Sequence, residues 1–433
     1  MVLTLSEKLR MVSSKNMETR KIVILGAGPG GIATALKLDK LGIPCTVLDK
    51  AIFPRDKVCG DAISGKVTYA YKQIDPNIFQ DFQYRHDLKL NCWGVQFIFP
   101  KRRELTIILP ANLKTIDFEA HDKAEAFIAK RQDFDNFLVE KAKACSNIEI
   151  VEGVDVQDFE ALENGFLLKN KAGEILYQTT LLIAADGALS KFAKRFGNIR
   201  KENEHHVGAI RAYYTGLSNG NPHNFVELHY LKEFFPGYLW IFPLPNGAAN
   251  VGAGMRTDKI SEKRVNLKKE LDRILHEHPR FKDRFKDAQL TGKVVGFPLP
   301  LGSKKRKISG KNFMLVGDAA ALIDPLTGEG IGNATISGIF AAEQVKKCLD
   351  TNDFSAAMME HYDQAVYDKL WKELQISHRL QQVFQRRWLL SAIAGIAVRN
   401  KQLAEIITAI FANVDLKKIL KHPLFIFKVI FNR

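Results

Sequence analysis

Short apolar runs alternate with stretches of helical periodicity along the first fifty residues. Residues 21–25 (KIVIL) are apolar and β-branched, a pattern that predicts a buried strand. Positions 32–41 have helical periodicity and end at Gly42, and a second apolar run covers 43–48. The order strand, helix, strand predicts the first unit of a parallel sheet.

A glycine-rich turn joins the first strand to the helix. Gly26, Gly28 and Gly31 satisfy the pattern GxGxxG, with Gly30 at a variable position. In such a turn the first glycine permits the bend, the second lets a pyrophosphate approach the backbone, and the third lets the helix pack closely. Asp49 ends the second strand, where a carboxylate accepts hydrogen bonds from an adenosine ribose and disfavours a 2′-phosphate. The unit predicts FAD or NAD and does not by itself separate them.

Two later segments also place an aspartate at the end of an apolar, strand-like run. The first ends in Asp186-Gly187 and leads into a basic helix. The second ends in Gly317-Asp318, and a glycine-rich turn follows before another helix. Asp318 can hydrogen-bond the hydroxyls of a sugar alcohol, while the amides near 328–332 face an electron-rich ring or a phosphate.

In this order and at these spacings, the three motifs resemble those of para-hydroxybenzoate hydroxylase-type flavoproteins. The resemblance covers about residues 20–345 and implies that FAD is the cofactor. It implies that Asp318 contacts the ribityl chain and that the Asp186-Gly187 pair lies near the pyrophosphate. Arg131 matches the family's arginine ahead of a helix and is expected to touch FAD. Other residues expected at the cofactor are Lys50, Arg55, Cys59, Gly60, Pro325, Gly328, Gly330 and Ile331.

Two further segments resemble the geranylgeranyl reductase family. Residues 53–61 read FPRDKVCGD, and 236–243 read PGYLWIFP ahead of NVGAG at 250–254. The family patterns are close to PRxKxCG and PGYxWxFP…NVGxG. Enzymes of this family use reduced FAD to saturate double bonds of isoprenoid chains on lipids, chlorophyll precursors or quinones. The resemblance implies an isoprenoid lipid or quinone as substrate. Because no second GxGxxG follows a strand, NAD(P)H or another reductant would dock transiently as electron donor.

Three residues of these segments are predicted to carry the chemistry. Reduction of an alkene needs a hydride and a proton, and the thiol of Cys59, with an ordinary pKa of about 8.5, can supply or relay that proton. Two basic neighbours would instead favour the thiolate, and a small buried filler cysteine is the alternative. Tyr238 and Trp240 share one face of a strand, which provides an aromatic wall for an apolar chain. The alternative is one face of an ordinary sheet core.

Three other functions stay open. Flavin-dependent halogenases share the fold, and their WxWxIP pattern aligns with Tyr238-Leu-Trp240-Ile-Phe242-Pro243 of this sequence. The first Trp of the pattern is absent here. An aromatic hydroxylase would activate oxygen, and its substrate pocket has no sequence signature that excludes it. A non-catalytic flavoprotein that binds lipid is the alternative of a different class.

The amino-acid composition limits the cellular compartments and the binding partners that are expected. The net charge of +15 fits an anionic partner or, equally, a basic surface without a specific partner. The dispersed basic residues form no nucleic-acid module, so no nucleic acid is predicted. The five cysteines are scattered without a CxxC pair, which favours a reducing compartment and no zinc site. No apolar run has the length of a signal peptide or a membrane span. We expect a cytoplasmic protein without a metal site, and the oligomeric state stays open.

The chain order predicts an α/β protein with a discontinuous layout. A Rossmann-like FAD-binding domain of the para-hydroxybenzoate hydroxylase type is expected beside an antiparallel β-sheet substrate domain and a C-terminal helical region. The expected segments are a flexible extension at 1–17, the FAD domain at 18–85, 116–198 and 292–345, the substrate domain at 86–115 and 199–291, and the helical region at 346–433.

The final segment, 385–433, combines basic and apolar residues. It carries nine Lys and Arg against Glu405 and Asp415. This composition suits an anionic membrane surface, where each Lys or Arg near the lipid contributes about 1 kcal/mol. A helical lid over the substrate pocket fits equally well. We expect peripheral contact with the inner face of the membrane.

Overall fold

A computed structural model describes residues 18–100, 103–108, 124, 126–218 and 223–397. The expectations for residues 1–17, and for the part of 385–433 beyond residue 397, lie outside the described residues. Three β-sheets and the helices packed on them make up the described chain.

The first sheet carries the glycine-rich turn at the end of its central strand. Five parallel strands run in the order β18-β11-β1-β2-β8, with β17 antiparallel at one edge and the hairpin β9-β10 added to the first half of β11. The strands are β1 Glu18–Leu25, β2 Cys45–Asp49, β8 Ile148–Glu152, β9 Asp158–Leu162, β10 Gly165–Lys169, β11 Ile175–Ala184, β17 Ser309–Gly310 and β18 Phe313–Leu315.

Strands β1, β2, β11 and β18 are buried towards their carboxyl ends, as near-continuous apolar runs in parallel sheets require. The three aspartate motifs follow β2, β11 and β18, so they meet at one edge of the sheet. Helices α1 Pro29–Lys40 and α8 Ile331–Thr351 pack against each other there, and both have their N-termini at that edge. Ligands of open α/β sheets bind at this carboxyl edge.

The second sheet is formed mainly by the later half of the chain. Its seven strands run in the order β16-β12-β15-β14-β13-β5-β6. They are β5 Gly94–Phe99, β6 Arg103–Ile108, β12 His206–Thr215, β13 Val226–His229, β14 Tyr238–Leu244, β15 Ala248–Arg256 and β16 Gln289–Pro300. One face packs on helix α6 Leu267–Glu277, and the other faces the first sheet's carboxyl edge.

Two details of this sheet differ from the expectation. Strand β13 pairs with β5 in parallel, so the sheet is not purely antiparallel. The chain passes through the first sheet between these strands, and such a crossover allows parallel pairing. Strand β16 also pairs with β12, so residues 292–300 belong to this sheet and not to the FAD-binding segment that was expected to start at 292. The mixed α/β fold class itself is confirmed.

A small sheet and the remaining helices connect the two large sheets. The small sheet has the order β3-β7-β4, with β3 Ala62–Ile63, β4 Lys89–Cys92 and β7 Ala126–Ala129. The remaining helices are α2 Gly65–Lys72, α3 Arg131–Lys143, α4 Lys191–Arg195, α5 Thr257–Lys263, α7 Lys282–Phe285, α9 Ala356–Phe384 and α10 Arg387–Ala397.

Helix α9 lies in the region for which a helical C-terminal part is expected, and its sequence accounts for it. The hydroxyl of Ser355 accepts a hydrogen bond from the amide of Met358 and caps the helix. Tyr362, Val366 and Leu370 follow at every fourth position and are buried against the first sheet's core. None of the described helices is long and apolar enough to cross a membrane.

Candidate active site

The glycine-rich turn forms a cradle that a side chain would fill. Gly26 has φ +96°, and a Cβ on Gly31 would lie 1.9 Å from the carbonyl oxygen of Gly26. Gly28 precedes helix α1 without a side-chain cap, so the first amides of the helix have no side-chain partner there. A Cβ on Gly28 would meet only the far end of Arg55, at 3.9 Å. Gly30 packs on Val316 and on helix α8 instead of facing the turn. This geometry fits a pyrophosphate at the helix N-terminus.

Asp49 is held in place by two backbone amides. Its Oδ2 accepts from the amide of Ala27 at 2.8 Å and its Oδ1 from the amide of Ala51 at 2.8 Å. Each carboxylate oxygen keeps a lone pair for another donor, as a ribose requires. Lys50 follows at the surface and lies near Asp186 of the second motif.

The second and third motifs approach the same edge. A Cβ on Gly26 would lie 2.6 Å from the carbonyl oxygen of Ala185, which shows how closely the Asp186-Gly187 segment passes the glycine-rich turn. Gly317 has φ +62° and its amide donates to the Ser337 hydroxyl at 3.1 Å. Asp318 then lies beside Gly330, where a Cβ would come within 3.2 Å of its Oδ1.

The turn before helix α8 supplies a second uncapped N-terminus. Gly330 precedes Ile331, the first residue of helix α8, and no side chain caps the N-terminus of this helix. Gly328, with φ +73°, lies against the Tyr238 hydroxyl, and Pro325 accepts a hydrogen bond at its carbonyl from Gln381. With the first cradle and Asp49, this edge has uncapped amides and a carboxylate of the kind that bind FAD.

A buried network of ion pairs lies next to the carboxyl edge of the first sheet. We call this edge, where FAD is expected to bind, the flavin edge. Arg131 begins helix α3 and donates to both carboxylate oxygens of Asp135 at 2.7 and 2.8 Å, while Arg55 donates to the same carboxylate at 2.7 Å. Burial opposes charge on Arg131, but Asp135 and the neighbouring Cys59 outweigh it and raise its pKa. Arg131 is therefore a fixed cation next to the Cys59 sulfur. Lys57 lies over the ring of Phe297, 3.3 Å from its centroid.

Asp61 links the Cys59 loop to the second sheet. It is fully buried, has φ +69°, and its Oδ1 accepts from the Arg131 amide at 3.2 Å. Its Oδ2 accepts from the Tyr213 hydroxyl at 2.8 Å and from the Asn250 side-chain amide at 2.7 Å. Burial raises the pKa of Asp61 to about 6 against the opposing effect of these donors. We call Asp61 with Arg131, Tyr213 and Asn250 the Asp61 junction.

Asn250 connects the Asp61 junction to strand β14, which carries Tyr238, Trp240 and Phe242. The same Nδ2 group donates to the carbonyl of Cys59 at 2.8 Å, and Oδ1 accepts from the Trp240 indole at 2.8 Å. Gly60 lies against the strand as well, since a Cβ there would be 2.9 Å from the Phe242 ring. Asn250 thus links the backbone of Cys59 to the indole of Trp240.

The aromatic face lines an apolar cleft. The rings of Tyr238, Trp240 and Phe242 follow one another at 6.3 Å, while Leu239 and Ile241 point into the core on the other side. The Tyr238 hydroxyl donates to the carbonyl of Thr327 at 2.6 Å and ties this strand to the turn before helix α8. The remaining apolar lining includes Tyr230, Leu299, Leu301, Pro325, Leu326 and Phe384.

Comparison with known proteins identifies the family. No protein-family model matches the chain. A digeranylgeranylglycerophospholipid reductase of Thermoplasma volcanium is 30% identical over 362 residues, covering 82% of this chain and 84% of that protein. The chain belongs to the geranylgeranyl reductase family of FAD-dependent oxidoreductases. A menaquinone reductase of Mycolicibacterium smegmatis is 27% identical over 419 residues, covering 92% of this chain and 93% of that protein.

Solved structures agree on the fold of this reductase family member. A geranylgeranyl bacteriochlorophyll reductase-like protein from Thermoplasma acidophilum has a TM-score of 0.75 at 22% identity and covers 94% of this chain and 99% of its own. A flavin-dependent brominase has a TM-score of 0.72 at 21% identity and covers 92% and 94%. At these identities the likeness shows the fold. The predictions of an enzyme, of FAD and of the family are confirmed.

The sequence reasoning missed the residues that hold the site together. Asp61, Tyr213 and Asn250 received no role, although Asp61 directly follows the Cys59-Gly60 pair. A signal was present at Asn250, a polar residue inside the otherwise apolar strand run 248–253. Buried polar residues in such runs require partners, and that requirement points to a network. Among the described residues, no group of His, Cys, Asp and Glu is placed to hold a metal ion.

Substitutions at two glycines of the turn should affect cofactor binding and protein stability separately. We expect Gly28→Ala to weaken FAD binding at least tenfold while leaving the unfolding free energy of the apoprotein within about 0.5 kcal/mol, because its Cβ meets no backbone. Gly31→Ala should instead lower apoprotein stability by about 2 kcal/mol or more, because its Cβ overlaps the Gly26 carbonyl. Flavin fluorescence titration and urea unfolding measure the two effects. An unfolding loss in Gly28→Ala equal to that of Gly31→Ala would contradict the assignment.

The raised pKa of Asp61 predicts a pH-dependent stability difference. The folded pKa of about 6 exceeds the ordinary 3.8, so the carboxyl's contribution is complete below about pH 3.8 and is lost as pH rises through 6. Relative to Asp61→Asn, the wild type should lose about 3 kcal/mol across this window. Urea unfolding at several pH values tests it, with the exposed Asp287→Asn as control. A wild-type-minus-variant difference that stays flat from pH 4 to 7 would count against a raised pKa.

Proposed function

We propose that the protein saturates double bonds in the isoprenoid chain of a lipid or quinone. The observation that carries the proposal is the aromatic face of β14, which lies beside the Cys59 loop and lines an apolar cleft at the flavin edge. A long hydrocarbon has nothing to hydrogen-bond, and aromatic walls bind it through its apolar surface. The names of the two reductases above, a phospholipid reductase and a menaquinone reductase, support this substrate class.

Residues of the protein would supply the proton and would position the isoprenoid chain. When bound in reduced form, FAD supplies a hydride to one carbon of the double bond, and a proton completes the other carbon. Cys59 holds such a proton beside the aromatic face. Arg131 holds the loop that carries this thiol, because its backbone amide donates to Asp61, two residues after Cys59. Tyr238 and Trp240 orient the chain and keep water away from the reacting carbon.

The electron donor is a separate proposal. NAD(P)H or another reductant would bind transiently at the flavin edge, near the Asp186-Gly187 segment. Arg55 and Lys50 provide positive charge close to that segment and to the glycine-rich turn. Dithionite replaces the donor in the experiment below, so the proposed reaction does not depend on its identity.

Anaerobic turnover tests the reaction and the role of Cys59 together. Dithionite-reduced enzyme is incubated with geranylgeranyl lipids and polyprenyl quinones, and the products are analysed by mass spectrometry. We expect a gain of about 2 Da per double bond, and a rate about a hundredfold lower in Cys59→Ala, as loss of a general acid predicts. Cys145→Ala, a half-buried cysteine in the first sheet's surroundings, is the control.

The two parts of this proposal fail separately. An unchanged mass for every prenyl substrate would overturn the reductase assignment. A mass gain at the wild-type rate in Cys59→Ala would remove Cys59 as proton donor and leave the reductase in place. Oxygen-dependent consumption of NAD(P)H with an aromatic substrate would favour the hydroxylase alternative.

Peripheral membrane contact through 385–433 completes the proposal. The described start of this segment has Trp388 exposed in the first turn of helix α10, next to Arg386 and Arg387. Exposed tryptophan beside arginine is typical of an interfacial anchor. We expect the full chain to pellet with anionic liposomes and a chain without 385–433 to stay in the supernatant at the same salt concentration. Equal pelleting of both would contradict the contact.

A further inference from the structure

The cleft beside the aromatic face ends at a polar group far from Cys59. Strand β15 carries Asn250, bonded to the Cys59 carbonyl, at one end and Arg256 at the other. Arg256 is six positions after Asn250 along the strand, which corresponds to about 20 Å at roughly 3.3 Å per residue. Arg256 lines the cleft together with Gln381 of helix α9. The cleft therefore runs from Trp240, whose indole is bonded to Asn250, to a charged end.

Arg256 is held in place but keeps one free edge. Its Nε and Nη2 both donate to the carboxylate of Asp258, the first at 2.9 Å, and its side chain is only 11% exposed. Nη1 makes no hydrogen bond to any described residue, and the arginine is one of the residues that line the cleft. A guanidinium fixed on one edge and open on the other is preorganised for an oxyanion.

His378 adds a buried donor at the same end. The Gln382 side-chain amide approaches its Nε2 at 3.1 Å, which makes Nε2 the acceptor and leaves the hydrogen of the neutral ring on Nδ1. Nδ1 is buried without a hydrogen bond, and so is Oε1 of Gln381. Burial and Arg256 hold the pKa of His378 below its ordinary value, against the opposing effect of the neighbouring Gln381 side chain. Buried donors of this kind require a partner.

The surroundings are positive. His205 lies with its ring 6.1 Å from His378 and hydrogen-bonds Ser303 at 2.8 Å. The basic run 304–307 (KKRK) follows directly, and Glu202 is the carboxylate that pairs with Lys304 and Arg306 there. A neutral head group would leave Nη1 of Arg256 without a partner in an otherwise apolar cleft, whereas an anion would satisfy it.

We propose that this end of the cleft is a subsite for the phosphate head group of a prenyl lipid, bound by Arg256 and His378. The inference rests on the proposed function and specifies its substrate. A repeat of four chain carbons extends about 5 Å with C–C bonds of about 1.5 Å. The ~20 Å between Arg256 and the Cys59 loop thus accommodates roughly four isoprene units.

Binding of two lipids that differ only at the head tests the subsite. Geranylgeranyl phosphate and geranylgeraniol are titrated into the FAD-loaded full-length protein, and quenching of tryptophan fluorescence is followed, since Trp240 lines the cleft. The wild type should bind the phosphate at least tenfold more tightly. Arg256→Gln should remove this preference while changing the Kd for geranylgeraniol less than twofold. His378→Gln should reduce the preference severalfold.

Matched variants distinguish a loss of phosphate recognition from general damage to the protein structure. Arg195→Gln removes an arginine that is also paired with an aspartate but is exposed, and it should change nothing. Asp258→Asn frees the whole guanidinium and should tighten phosphate binding, which general damage would not do. Inorganic phosphate is titrated in the same way, and binding as tight as that of geranylgeranyl phosphate would replace the lipid head group with a free-phosphate site.

The subsite and the reductase can fail independently. An unchanged phosphate preference in Arg256→Gln and His378→Gln, with double-bond reduction intact, would overturn the subsite alone. Loss of the preference in these variants, with no reduction by the wild type, would support the subsite and overturn the proposed reaction.

Discussion

The buried carboxylate of Asp61 is the interaction on which the geometry of the site depends. A carboxylate taken out of water without partners costs several kcal/mol, and this one is fully buried. Its donors come from the N-terminus of α3, from β12 and from β15, so the cost is offset only when all three elements meet. The left-handed backbone at Asp61 adds strain that the same contacts must hold. The first and second sheets are therefore joined at one point whose geometry leaves little freedom.

That junction has a direct consequence for the cleft. Asn250 uses both hydrogens and its oxygen to connect Asp61, the Cys59 carbonyl and the Trp240 indole. The loop that carries the thiol and the strand that carries the aromatic wall thus share one amide group. A second bond, from the Tyr238 hydroxyl to the carbonyl of Thr327, holds the other end of the wall to the turn at helix α8. Hydrophobic packing alone would fix neither distance as closely, because it is not directional.

The sequence was sufficient for the parts of the molecule that local patterns encode. The strand–turn–helix unit with Asp49, the two later aspartate motifs and the alternation along Tyr238–Phe242 each depend on residues close in the chain, and the structure contains them. The parallel pairing of β13 with β5 and the membership of β16 in the second sheet depend on contacts between distant segments. The Asp61 junction joins positions 61, 131, 213 and 250, and no periodicity relates these positions to one another.

The distribution of charge along the cleft connects the two ends of the site. Near the flavin, Arg55 and Arg131 share Asp135, and Arg211 is paired with Asp56, so the cations there have protein partners with which they hold the loop. Burial lowers the pKa of Lys57 to about 8, which leaves a cation that Asp318 and the bound cofactor would stabilise. At the far end, Arg256 has a single carboxylate partner and an open edge. With the proposed subsite, an apolar wall between a largely paired cationic network and a half-paired arginine would favour one orientation of an amphiphile, with its chain towards Cys59 and its anionic head towards Arg256.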